Sequence, residues 1–279
     1  MELIGDRRFS AAVPVWADAE LKKRILGAIK SYYGNLTSVD YTIKRYGERW
    51  EFKDATETQQ FVVKALKSIN ENVSSLITAI MNGRPRPDSA GLLAAEVALL
   101  RLKSSFRSAL ILISQAHAFE AAAVVRLTLE QIAWAYAVHN CDDQKRVLRV
   151  RPTKAVTFLR TLAPFAGPLY GALSRQAHVE PEKATIYYAE EADGSVEIRY
   201  QLSDESFVVL GYLLGVLGLF RRVVAKVLGD YVDAPIERLL FDKFPTLSEH
   251  LAETLRKLKS SHSELDELPA NLFDFIRGS

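Results

Sequence analysis

Apolar residues recur at helical spacing along most of the chain. In 17–33, Leu21, Ile25, Leu26, Ile29 and Tyr33 fall on one face with Lys22, Lys23 and Lys30 turned outward, which predicts an amphipathic helix. A second helix is expected after Asp54, with Thr56 and Thr58 as candidate caps and an apolar face running from Phe61 through Ala65, Ile69, Val73 and Leu76 to Ile80. Asn82-Gly83 and the prolines at 85 and 87 stop it and mark the clearest boundary in the chain. Ser89 then caps a predicted helix to about Gln115, and Ala118–His139 reads as another. This one is apolar nearly all round, with Glu120, Arg126, Thr128, Glu130 and Gln131 as its clearly polar positions, so it belongs at the centre of a bundle. Shorter helices are expected at about 152–162 and 166–178, a long apolar one from Ser203 or Asp204 to about Gly229, and an amphipathic one at about 247–260.

Two segments break the pattern. Tyr41–Lys53 mixes aromatics with charges around Gly47 and is compatible with helix, strand or an extended arm. Thr185–Gln201 places β-branched and aromatic residues on either side of Asp193-Gly194, a dipeptide suited to a tight hairpin turn. The predicted architecture is mainly α: a helical bundle with a central apolar helix and one β-hairpin insertion at about 185–201. Its expected parts are an N-terminal helical arm (1–83), the bundle (88–230) and a C-terminal helical tail packed on it (231–279).

The 279 residues are 48% hydrophobic and 25% charged, enough apolar material for a packed core and unlike disordered or collagenous chains. A single cysteine, Cys141, permits no internal disulfide, and the first ten residues have no apolar signal core, so a cytoplasmic protein is expected. The apolar run Phe207–Phe220 is about 21 Å long as a helix, shorter than the roughly 30 Å hydrocarbon core, and Arg221 and Arg222 end it. A buried core helix and no membrane association are therefore expected. Glycines 211, 215 and 218 within it read as close helix contacts, with a dimer interface as the alternative.

Charge is distributed unevenly. Residues 145–183 carry eight Lys/Arg against two Asp/Glu, whereas 229–279 carry ten acidic residues against six basic. The basic stretch is either a solvated connecting face or a phosphate-backbone track formed by Arg146, Arg149, Arg151 and Lys154. Tyr41, Tyr46, Trp50 and Phe52, among Lys44, Arg45, Arg49 and Lys53, would either stack on bases or pack the arm.

Phosphate-loop, dinucleotide, zincin, paired C-x-x-C and G-x-S-x-G motifs are all missing, and no two histidines share a helix face at ligand spacing. No metal and no cofactor are predicted. Two polar constellations remain. Arg126 and Glu130 are four apart in the apolar helix, either a structural ion pair or part of a site. Tyr170, Ser174 and His178 recur at steps of four and put a phenol, a hydroxyl and an imidazole on one face, beside Arg175.

The R-x-x-x-E of VVRLTLEQ, followed some forty residues later by Y-x-x-x-S-x-x-x-H, resembles bacterial helical domains related to the HEPN superfamily; the likeness covers about Leu99–His178. It implies a helical bundle, a homodimer, and RNA binding or metal-independent endoribonuclease activity in a toxin or antiviral-defence role. By that analogy His178 is the general acid or base, Arg126 stabilises the phosphorane, Glu130 orients either partner, and Ser174 completes the site. Tyr170, Arg175 and the four cations of the basic stretch would contact substrate. The usual catalytic pattern of that superfamily, Arg, four to six intervening residues and then His on one helix, occurs literally only at Arg256 and His262. The alternative is a non-catalytic interaction or sensor module whose hairpin or acidic tail binds a protein partner.

Overall fold

The computed structural model describes residues 2–5, 10–13, 17–50, 57–83, 89–178, 188–190, 196–198 and 203–231. Among these the chain is mainly α-helical and divides into two compact units, Met1–Ala65 and Leu66–Ser279. The division falls inside one uninterrupted helix, Glu57–Met81, rather than at the proline-rich boundary, whose residues 84–88 lie outside the described ones.

The first unit adds a pair of short strands to the helices of the expected N-terminal arm. Strand β1 (Glu2–Gly5) pairs antiparallel with β2 (Ser10–Val13), in a register from Glu2 opposite Val13 to Gly5 opposite Ser10. Four-residue strands are too short for their alternation to show against the helical background. Ile4 and Val13 bury against Leu26 of α1 (Ala19–Tyr33), with Trp50 at the margin of this small core. Asp18 caps α1 by accepting from the Leu21 N–H. At the other end Asn35 takes a left-handed φ of 51°, while the Leu36 N–H donates to Ser31 O and the Asn35 N–H to Tyr32 O, a Schellman closure.

The segment after it resolves as α2 (Val39–Tyr46) and a 3₁₀ turn, Gly47–Arg49. The buried face of α1 is also rotated from the one expected: Lys22 is 1% exposed and Leu21 is 43% exposed. The strands and α2 both pack on α1, so its inward stripe follows two contacts rather than one, and the Lys22 methylene stem is compatible with burial. Gly27 permits the approach of α2, since a Cβ there would press on Ile43.

In the second unit the helix spanning the division is α3. Then come α4 (Ala90–Ser114), α5 (Ala118–Val138), α6 (Gln144–Arg149), α7 (Pro152–Leu159), α8 (Ala166–Ala177) and α9 (Ser203–Leu228). The apolar perimeter of α5 is used as its composition requires: α4, α7, α8 and α9 all pack on it. Residues 144–149, read as connecting chain, form a helix because Asp143 caps it through the Lys145 N–H. Ser89 stands at the start of α4 but makes no cap; its hydroxyl donates to Asp142 instead. Here the beginning of α4 touches the end of α5, and the Gly91 N–H donates to Cys141 O at 2.8 Å.

Helix α9 is buried along its apolar length, including Gly211, Gly215 and Gly218, so those glycines present no free dimer face. By length and composition it is long and apolar enough to cross a membrane, and 89% of its most apolar window is buried within the fold. Strand β3 (Tyr188–Glu190) pairs antiparallel with β4 (Val196–Ile198), between α8 and α9 in the chain. Three-residue strands by themselves do not establish the inserted hairpin expected at 185–201. The intervening Asp193-Gly194, the helix expected at 247–260, Arg256, His262, and the tail from 232 onward all lie outside the described residues.

Candidate functional site

Helix α5 carries Arg126 and Glu130 one turn apart, and α8 packs directly on it. Both helices are held by apolar residues between the polar ones: Val125 and Leu129 on α5, Leu169 and Leu173 on α8, all fully buried. The polar stripe of each helix therefore meets the other, because the buried residues beside it fix the rotation of both helices.

Five of the expected side chains are brought together. The Arg126 Nη1 lies 3.1 Å from His178 Nε2, across 52 residues of sequence. The Tyr170 hydroxyl donates to Glu130 Oε1 at 3.0 Å. Arg126 Nε stands 3.7 Å from the same carboxylate oxygen, an ion pair too long to be a hydrogen bond, and that buried Nε has no hydrogen-bond partner. Glu130 is thus tied to the tyrosine more closely than to the arginine. The sequence contained the signal for this: a carboxylate in an apolar helix needs more than one partner.

His178 caps the C-terminus of α8, its backbone N–H donating to Ser174 O at 3.1 Å, and its ring is exposed. Arginine has no acceptor, so the 3.1 Å contact is a hydrogen bond in the tautomer that turns the Nε2 lone pair toward the guanidinium. Burial, together with the hydrogen bond to Glu130 and that carboxylate's charge, raises the Tyr170 phenol above its ordinary range. The Arg126 charge and the Ser174 hydroxyl oppose this shift without reversing it. Tyr170 is therefore a protonated donor at neutral pH. The cluster grades outward, from Glu130 at 9% exposure through half-buried Arg126, Tyr170 and Ser174 to exposed His178.

The remaining expected contacts are the cations. Arg175 is exposed on α8, its guanidinium beside Gly171. Arg146, Arg149, Arg151 and Lys154 all project to solvent, and no described hydrogen bond or ion pair joins them to the cluster. Helix α6 lies on α4, whereas α7 packs on α5 and α8. In the first unit, Arg45 donates to the Tyr41 hydroxyl and sits over the Tyr41 and Tyr46 rings, while Lys30 sits over Tyr46 and Trp50. Those rings and cations face one another within the unit, while Phe52 and Lys53 lie outside the described residues. Among the described residues no group of three His, Cys, Asp or Glu is placed to hold a metal ion.

The chain has no match among protein-family models, curated proteins or solved structures.

Proposed function

We propose that the chain is an HEPN-like RNA-binding protein acting as a metal-independent endoribonuclease, in a bacterial toxin or antiviral-defence role and as a homodimer. The observation that carries this reading is the Arg126–His178 contact of 3.1 Å, supported from beneath by the Glu130–Tyr170 hydrogen bond. A neutral imidazole with its Nε2 lone pair at an exposed rim is a general base, and an adjacent guanidinium is a stabiliser of developing phosphorane charge. RNA phosphate would draw Arg126 off Nε2 and free the lone pair. His178 then takes the proton of a ribose 2′-hydroxyl, the 2′-oxygen bonds to phosphorus, and the O5′ bond breaks with a proton returned to the leaving oxygen. Ser174 and Tyr170 orient the phosphate, and Arg146, Arg149, Arg151, Lys154 and Arg175 supply salt-dependent contacts along the strand. In this reading β3 and β4 belong to a hairpin inserted at 185–201.

Incubation of wild-type and His178→Ala protein with a mixed RNA pool in EDTA tests the chemistry. Cleavage by the wild type alone, leaving 2′,3′-cyclic phosphate ends, is expected. No cleavage by either protein, with cellular toxicity or protection unaltered by His178→Ala, removes the catalytic reading. A second reading is a non-catalytic interaction module that binds a protein partner through the hairpin or the acidic tail. It is favoured by the contacts that Arg126 makes with His178 and Tyr170 with Glu130, which give each of these side chains a partner within the fold.

A further inference from the structure

Two donors stand at one oxygen of the Glu130 carboxylate, and only one of them reaches it. The Tyr170 hydroxyl donates to Oε1 at 3.0 Å, whereas Arg126 Nε stops 3.7 Å from the same atom and, though buried, has no hydrogen-bond partner. Arginine and glutamate four residues apart are neighbours on a helix surface and within reach of a close ion pair. Leaving a buried donor unpaired is costly, so the carboxylate is held where Nε does not meet it. The group that holds it comes from the other helix: Tyr170 stands on α8, Arg126 and Glu130 on α5.

The tyrosine is fixed in turn. The Ser174 hydroxyl, one turn further along α8, hydrogen-bonds the phenol. A phenol has a single proton to donate, and Glu130 accepts it, so Tyr170 has none left for a phosphate oxygen. Its influence on a phosphate therefore runs through Glu130 and Arg126. With the carboxylate drawn toward α8, the Arg126 guanidinium turns Nη1 to His178 at 3.1 Å and keeps part of its surface in water, where an anion can reach it.

We infer that Tyr170 is a positioning residue: it holds the Glu130 carboxylate off Arg126 and so keeps the guanidinium available, beside His178, for a phosphate of RNA. The phosphate rests on the ribonuclease reading; the hold on Glu130 does not. Tyr170→Phe keeps the ring and removes only the hydroxyl. The carboxylate then moves to Arg126 Nε, the pair closes to hydrogen-bonding distance, and the cation is withdrawn from both His178 and the phosphate.

The test uses the full chain and two measurements. Fluorescence anisotropy gives the affinity for a labelled 2′-O-methyl RNA oligonucleotide, which lacks the hydroxyl needed for cleavage. Tyr170→Phe should weaken binding about tenfold, the scale of a hydrogen bond to a charged group that the phosphate must now break. In a Glu130→Gln background, with no carboxylate to close on Arg126, the same substitution should leave affinity unchanged. Urea denaturation gives the coupling between Arg126→Ala and Glu130→Gln, which should be larger in the Tyr170→Phe background than in the wild type. The unfolding curves also show that each variant is folded. The inference is overturned if Tyr170→Phe leaves affinity intact, if it costs the same in the Glu130→Gln background, or if the coupling does not grow. Absence of RNA binding by the wild type, with the coupling enlarged, removes the ribonuclease reading and upholds the hold of Tyr170 on Glu130.

Discussion

Replacing Arg126 with alanine leaves the Glu130 carboxylate, 9% exposed, with one described partner, the Tyr170 hydroxyl at 3.0 Å. Breaking a buried ion pair by removing one member costs about 3–5 kcal/mol when nothing replaces it. Here the retained tyrosine hydrogen bond, to a charged acceptor and so on the order of 1.5–3 kcal/mol, keeps part of the compensation. The lost pair is also long, at 3.7 Å, and Arg126 keeps 27% of its side-chain surface in water. These considerations bring the expected loss to about 2 kcal/mol, or roughly 5 °C in the unfolding midpoint for a unit of this size.

The control is the same substitution in a Glu130→Gln background, where no carboxylate remains to strand. There it should cost less than about 1 kcal/mol, since a neutral amide does not need the cation. Urea denaturation followed by circular dichroism at neutral pH measures all four proteins of the cycle. If Arg126→Ala costs the same in both backgrounds, the coupling is zero, and the electrostatic reasoning about this pair is wrong.

Three further outcomes follow from the packing. Gly91→Ala places a Cβ against the backbone of Val138 and Cys141, where no flexible side chain can yield, and should cost about 3 kcal/mol or more in thermal unfolding; a near-neutral result would mean that the α4–α5 junction is looser than described. Ala116 holds a left-handed φ of 59° where the Ala116 and His117 N–H groups close α4 onto Ile113 O and Leu112 O. Ala116→Gly should therefore raise stability by about 1 kcal/mol, and a loss would contradict the assignment of strain. The Tyr170 phenol titrates above its ordinary value when folded, so its contribution is present below about pH 10 and is lost as pH rises through the higher folded value. The stability gap between wild type and Tyr170→Phe should be constant below about pH 10 and shrink above it, and a gap that widens there would reverse the sign of the argument.

The sequence by itself determined the long helices of the second unit. The long periodic stretches at 90–114, 118–138 and 203–228 each exceed twenty residues, so their spacing is readable without neighbours. The central place of α5 was legible because a helix apolar on all sides is stable in water only when covered on all sides. The shared faces of Arg126 with Glu130, and of Tyr170, Ser174 and His178, follow from a four-residue step.

Local pattern did not decide which surfaces meet. Lys22 is buried and Leu21 exposed because two strands and α2 converge on α1, an outcome set by neighbours distant in sequence. Ser89 turned from its own helix to Asp142, 53 residues away, for the same reason. An apolar groove beside Leu93 and Leu148 exists only because α6 folds as a helix on α4. The pairing of Arg126 with His178 needed α8 to lie on α5 at one rotation, and that rotation is set by the buried Leu129, Leu169 and Leu173. Helical periodicity places polar groups on a face; only close packing of the apolar residues beside them brings two faces within hydrogen-bonding distance.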